Sequence, residues 1–133
     1  MKTFDCYRPR PVQWEMWKLM PRPGYVANPR FGSHHNRGAA VDLTLVTADG
    51  TEVEMPTPFD TFGKASHHSY GGGSAASRRN RDHLRSVMVA AGFRPNRMEW
   101  WHYELPDAKR FPLLDVPLTA ASKVGEDKHP TGE

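Results

Sequence analysis

Two stretches of the chain set metal-ligand side chains beside a candidate base: residues 33–42, SHHNRGAAVD, and residues 99–102, EWWH. Imidazole and carboxylate are groups that zinc favours, and a catalytic zinc keeps three protein ligands with the fourth position open. Two neutral imidazoles and one anion leave such an ion strongly electrophilic. His35 and Asp42 are the best pair in the first stretch, and His102 is the candidate in the second. Asp42 stands among apolar residues, where a carboxylate is costly to bury unless it is paired or bound to a metal. Its spacing equally allows the wet face of a half-exposed strand. For His102 the alternative is a packed histidine bonded to a backbone carbonyl. Glu99, three residues earlier, tips that balance, because an acid beside a metal centre can take a proton from water. Met98, Trp100 and Trp101 offer an apolar wall that would raise the pKa of Glu99. The two tryptophans are otherwise core or pocket wall.

These side chains need elements to carry them. Val41, Leu43 and Leu45 alternate with Ala40, Asp42 and Thr44, the period of a strand. Asp49-Gly50 is a hairpin signal, with a return strand expected over residues 51–55 before Pro56 and Pro58. Upstream, Val12, Met16, Leu19 and Met20 fall at near-helical spacing after Pro9 and Pro11, and Pro21 and Pro23 stop that helix. An irregular loop follows to Ser33. Residues 59–77, with GGGSAAS, read as a flexible loop of the kind that lies over sites. Leu84, Val87, Met88 and Ala91 then mark the clearest helix, with Gly92 as its C-terminal cap. Residues 98–105 read as an aromatic strand. Strict strand alternation puts residues three apart on opposite faces, so Glu99 and His102 converge only if the backbone bulges or turns between them. The predicted class is α+β with a small antiparallel sheet.

Composition fits one soluble domain. The chain has 133 residues, 38% hydrophobic and 25% charged, without an apolar run long enough to span a membrane or a secretory signal at its start. That reading makes the protein cytoplasmic, with no membrane partner. The formal charge is +3, and the densest basic run, Arg78, Arg79, Arg81 and Arg85, reads as a solvated helix face rather than a nucleic-acid stripe. Cys6 is the single cysteine, so an intrachain disulfide is impossible, which fits a reducing compartment. After Pro112 the composition turns polar, which divides the chain into a domain over residues 1–112 and a flexible tail over 113–133.

The two motifs and a third, DCYRP at residues 5–9, together resemble a known family. SHHNRGAAVD is similar to the SxHxxGxAxD signature of the D-alanyl-D-alanine dipeptidases, with Ser33, His35, Gly38, Ala40 and Asp42 in register. EWWH resembles the ExWH motif of that family through Glu99, Trp101 and His102, and DCYRP resembles its arginine-bearing YRP motif through Arg8. The likeness runs from about Phe4 to Pro106.

The resemblance implies a central antiparallel sheet flanked by helices, the fold shared with zinc D,D-carboxypeptidases and hedgehog-type domains. It implies one zinc per chain on His35, Asp42 and His102. It makes Glu99 the general base and later proton donor, Arg8 the stabiliser of the oxyanion, and Ser33 a residue near substrate. The implied substrate is a small D,D-dipeptide, in cell-wall dipeptide turnover or glycopeptide resistance. The alternatives are a related zinc peptidase acting on longer peptidoglycan peptides, or a zinc-binding domain without turnover. Family members carry a substantial segment before the YRP motif, whereas this chain starts a few residues before it. His34 is set aside by the register of the motif. His67 and His68 read as a solvated loop pair, and Asp60 as a candidate second-shell group for the metal. Gly38 and Ala40 read as small residues that let the backbone approach a partner closely.

Overall fold

The computed structural model describes residues 1–121. Four strands form one antiparallel sheet in the order β1-β2-β4-β3, with β1 at Lys2–Asp5, β2 at Ala40–Thr44, β3 at Arg94–Pro95 and β4 at His102–Glu104. Helix α1 spans Arg10–Leu19, α2 spans Ala75–Ala90, and a short α3 spans Leu118–Ala121. The α+β class with a small antiparallel sheet is as expected.

β2 is one of the two interior strands, and the period of its sequence explains its two faces. Leu43 points into a core built with Leu84 and Met88 of α2, Trp100, Trp101 and Tyr103. Asp42 points to the opposite face, and it is buried there as well. The wet-face alternative for Asp42 is thereby excluded.

The hairpin signal at Asp49-Gly50 does make a turn, in which the Thr47 amide donates to the Thr51 carbonyl at 2.9 Å. The return strand is reduced to a single bridge, Val46 to Glu52. The edge of β2 that it would occupy is taken by β1, whose Lys2 and Thr3 face Thr44 and Leu43. β1 is four residues with little alternation of burial, which is why its sequence does not announce it. A bulge follows Thr3, so that Asp5 faces Asp42. Bulges re-aim side chains next to sites, and this one sends the chain through Cys6 and Arg8 past the loop that carries His35.

α2 begins nine residues before the apolar stripe that predicts it. Ser74 caps it by accepting from the Ser77 amide at 2.9 Å. Its buried stripe is Ser77, Arg81, Leu84 and Met88, at proper helical spacing but with two polar members in the first half. Arg81 is therefore not on a solvated face: its guanidinium is buried and donates to the Tyr70 carbonyl at 2.7 Å. Arg79 and Arg85 are exposed as expected. Gly92 follows the C-cap with φ 91, and the Gly92 and Phe93 amides return to the Val89 and Met88 carbonyls. That is the left-handed ending that glycine favours.

The aromatic segment is a strand only over His102–Glu104. Residues 97–101 are irregular, anchored by the tryptophans as well as by the bond from the Leu43 amide to the Trp101 carbonyl. Trp100 donates from Nε1 to Thr57 Oγ1 at 3.0 Å, and Trp101 packs edge-on against Phe59 at 5.5 Å. Trp100, Trp101 and Tyr103 are nearly wholly buried. At ~25 cal/mol per Å² and roughly 150–250 Å² per ring, each contributes about 4–6 kcal/mol of gross burial. This is ample to fix a short irregular turn. The first part of the expected tail lies against the domain: the Leu114 amide donates to the Asn36 carbonyl at 2.8 Å, and Tyr7 and Val116 exchange bonds at 2.8 Å. The remainder, from residue 122, lies outside the described residues.

Candidate metal centre

The ligand-type residues of the two motifs meet across the β2–β4 pairing. Asp42 faces His102, and Ala40 faces Glu104. The Leu43 amide bonds the Trp101 carbonyl and the Leu105 amide bonds the Ala39 carbonyl. Asp42 and His102 therefore occupy the alternate, non-hydrogen-bonded position, where side chains of an antiparallel pair come closest. Asp42 Oδ1 lies 2.9 Å from His102 Nδ1.

His35 arrives from a tight turn just before β2. Residues His35–Arg37 form a single 3-10 turn. Ser33 and Asn36 shape it: the Ser33 amide donates to Asn36 Oδ1 at 2.7 Å and the His35 amide to Ser33 Oγ at 3.2 Å. Gly38 ends it at φ 61, a left-handed conformation. A Cβ on Gly38 would meet nothing within 4 Å, so close approach is not the reason for glycine there and the backbone angle is. The outcome is that His35 Nε2 lies 3.3 Å from Asp42 Oδ2 and 3.2 Å from His102 Nδ1. One ligand atom from each of the three residues falls within 4.8 Å of the others, and all three are buried. Among the described residues no other such group occurs.

The tautomers are set by the neighbours. His35 Nδ1 lies 2.6 Å from the Cys6 carbonyl. A carbonyl only accepts, so Nδ1 carries a hydrogen toward Cys6, and Nε2 is the nitrogen that faces Asp42 and His102. Burial would raise the Asp42 carboxyl, but hydrogen bonds from His102 and His35 outweigh it and hold the group at about 2. Burial would lower the His102 imidazole, yet the bonds to Asp42 and Glu104 push it up to about 9. In the metal-free protein His102 therefore carries a proton that a cation would displace. Two imidazole nitrogens and a carboxylate, buried and facing one point, suit a first-row divalent cation.

Glu99 lines the same cleft. The turn that the alternation argument requires is present, with the His102 amide donating to the Glu99 carbonyl at 3.3 Å. Asn96 Nδ2 donates to Glu99 Oε2 at 2.9 Å. Burial, reinforced by Asp42 and Asp60, drives the carboxyl up to about 7 against the pull of His102. Arg8 is buried at the cleft wall. Its Nε donates to Asp5 at 2.8 Å and its Nη1 to Gln13 Oε1 at 2.7 Å, while Gln13 is tied to the Ala27 carbonyl at 2.8 Å. Ser33 also lines the cleft.

Other residues fall differently from the sequence reading. Asp60 lines the cleft at φ 58 with no bond to His35, Asp42 or His102 among the described contacts. His68 is no solvated residue. It packs edge-on to Tyr103 at 6.1 Å, and burial, helped by Arg85 and Arg81, lowers its imidazole to about 4. Neither His67 nor His68 lines the cleft. His34 does, with Nδ1 2.6 Å from Glu104 Oε2. Sequence reasoning missed Gln13, Asn36, Asn96 and Glu104. Only Glu104 had a signal, since it lies two residues after His102 and a strand period puts both on one face.

A family model described as D-ala-D-ala dipeptidase matches residues 1–122 of the chain. The chain belongs to this metallopeptidase family. Its relatives include a D-alanyl-D-alanine dipeptidase of Escherichia coli (strain K12), 40% identical over 111 residues, which are 84% of this chain and 58% of that protein. A D-alanyl-D-alanine dipeptidase of Enterococcus faecium is 46% identical over 106 residues, 79% of this chain and 49% of that protein. One of Streptomyces coelicolor (strain ATCC BAA-471 / A3(2) / M145) is 44% identical over 85 residues, 63% of this chain and 41% of that protein. The chain thus spans about half the length of the curated dipeptidases that it matches. Among the described residues no helix is long and apolar enough to cross a membrane.

Proposed function

We propose that the protein hydrolyses D-alanyl-D-alanine at one zinc ion per chain, held by His35, Asp42 and His102. The convergence of those side chains with Glu99 and Arg8 in one cleft carries this reading, supported by membership of the dipeptidase family. When bound, zinc supplies Lewis-acid polarisation of the scissile carbonyl.

The chain itself supplies the proton chemistry. Glu99 takes a proton from the attacking water as the new C–O bond forms, and returns it to the amine nitrogen as the C–N bond breaks. Burial works to raise that carboxyl above the ordinary carboxylate range, which favours its returning the proton to the amine. Asn96 occupies Oε2, which leaves Oε1 for water. Arg8 stabilises the oxyanion. Its guanidinium has five hydrogens, and Asp5 and Gln13 fix its plane while leaving donors on Nη1 and Nη2. Ser33 Oγ accepts from the His35 amide and keeps its own hydrogen for a substrate oxygen. Asp60 lines the same cleft and offers a carboxylate to the ammonium of a free dipeptide.

The cleft has a volume of about 200 Å³. Pockets for drug-sized ligands run from ~300 to 1,000 Å³, so this one suits a very small substrate and favours the dipeptide over a longer peptide. The test is release of D-alanine by zinc-loaded protein from D-Ala-D-Ala and from a pentapeptide ending in it. Preference for the dipeptide is expected. Comparable kcat/KM for both would assign a longer peptidoglycan peptide instead, and turnover of neither would leave a zinc-binding domain.

A further inference from the structure

The two histidines of the candidate centre turn different nitrogens inward, Nε2 from His35 and Nδ1 from His102. Each then needs its outer nitrogen held. For His35 the Cys6 carbonyl does this. For His102 the outer atom is Nε2, and the polar atom beside it is Glu104 Oε2 at 3.5 Å. That same oxygen lies 2.6 Å from His34 Nδ1. Glu104 is two residues beyond His102 on the same face of β4, directly across from Ala40. The small side chain of Ala40, in a pair where side chains crowd, leaves the carboxylate room to lean over His102.

We propose that Glu104, braced by His34, is a positioning residue that fixes His102 for metal binding through Nδ1. This rests on the reading of His35, Asp42 and His102 as zinc ligands. An imidazole can flip about its χ2 bond and offer either nitrogen. A carboxylate accepting from Nε2–H selects one orientation and makes Nδ1 a better donor, as outer partners of ligating histidines do. The adjacent histidines of the motif thus serve different sides of one centre: His35 is a ligand, and His34 steadies the group that aims the other histidine ligand.

The test measures zinc affinity by chelator competition for the wild type, Glu104→Gln, Glu104→Asp, Glu104→Ala and His34→Gln, with the melting of each metal-free protein as a check on folding. Loss of an outer partner costs about 10–100-fold in metal affinity. That range is expected for Glu104→Ala, with Glu104→Gln weaker than wild type, partial recovery in Glu104→Asp, and a smaller loss in His34→Gln. Imidazole nitrogen NMR of the zinc-loaded wild type should report His102 bound through Nδ1 with Nε2 protonated. Wild-type affinity in the folded Glu104→Ala and His34→Gln variants, or ligation through Nε2, overturns the inference. Should Glu104→Ala fail to fold, His34→Gln decides, because it leaves the carboxylate in place. Absence of zinc binding by the wild type would instead defeat the underlying reading of the ligands.

Discussion

Asp42 and His102 are direct cross-strand partners on β2 and β4, and 2.9 Å separates Asp42 Oδ1 from His102 Nδ1. Sixty residues apart in sequence, they are brought together by strand register alone. A one-residue slip of β4 would turn His102 to the face packed on α2.

Removal of any member of that centre should abolish tight zinc binding. His35→Ala, Asp42→Ala and His102→Ala are expected to weaken zinc by more than the ~100-fold cost of losing an outer partner. Metal analysis after dialysis checks this. Full zinc in His35→Ala, with loss in His34→Ala, would reverse the assignment of the adjacent histidines.

Glu99→Gln should keep zinc and lose rate by roughly 10²–10⁴. The proposed base acts in its ionised form, and in the metal-free protein burial raises the Glu99 carboxyl to about 7. A cation bound nearby would pull it back toward the ordinary 4.5, because opposite charge favours the ionised carboxylate. The acid limb of kcat/KM should therefore lie between those values, falling tenfold per pH unit below it. A pH–rate profile reads this directly, and the same limb persisting in Glu99→Gln would assign it to another group.

In the metal-free protein the same group has a stability signature of opposite sense. Its folded pKa of about 7 stands above the unfolded 4.5, so its contribution is fully present below 4.5 and lost as pH rises through 7. Replacing it by Gln should raise the melting temperature above pH 7, by a gain on the order of 3 kcal/mol. Near pH 4.5 the difference should vanish. Glu104 behaves in the other direction. Hydrogen bonding to His102 lowers it to about 2, so its stabilisation holds above 4.5 and is lost as pH falls through 2. Melting curves across pH, with and without each substitution, separate the two.

Arg8→Ala should spare zinc and lower kcat by about 3 kcal/mol, if it acts as a single oxyanion donor. Gln13→Ala should give a milder loss of the same kind, because it frees Nη1 of the arginine it positions. An effect confined to KM in both variants would assign Arg8 to ground-state binding.

Gly38→Ala should destabilise the protein by about 1 kcal/mol or more, through its φ of 61 rather than through any clash. Because the His35 turn ends on Gly38, zinc affinity should fall with stability. Thermal melting and chelator competition on the same variant measure both. Unchanged values would mean the turn relaxes without moving His35.

The sequence by itself determined the side chains that can do chemistry and the local periods of the two longer helices and of β2. Period 2 in residues 40–45 and period 3.6 around Leu84 are local properties, written in neighbouring residues. The residue types in two short motifs marked His35, Asp42, His102 and Glu99, and the resemblance of three motifs to a known family added Arg8. Tertiary structure alone decided the rest. β1 exists because the free edge of β2 accepts it, and the expected return strand is displaced for the same reason. The first half of α2 is masked because Ser77 and Arg81 occupy its buried stripe and are satisfied by distant carbonyl and capping partners. Asn96, Gln13 and Glu104 have roles only through what they touch, and His34 meets Glu104 across 70 residues of chain. A hydrogen bond at that separation leaves no period in the sequence. It follows from strand register and packing, which are settled only when the chain has folded.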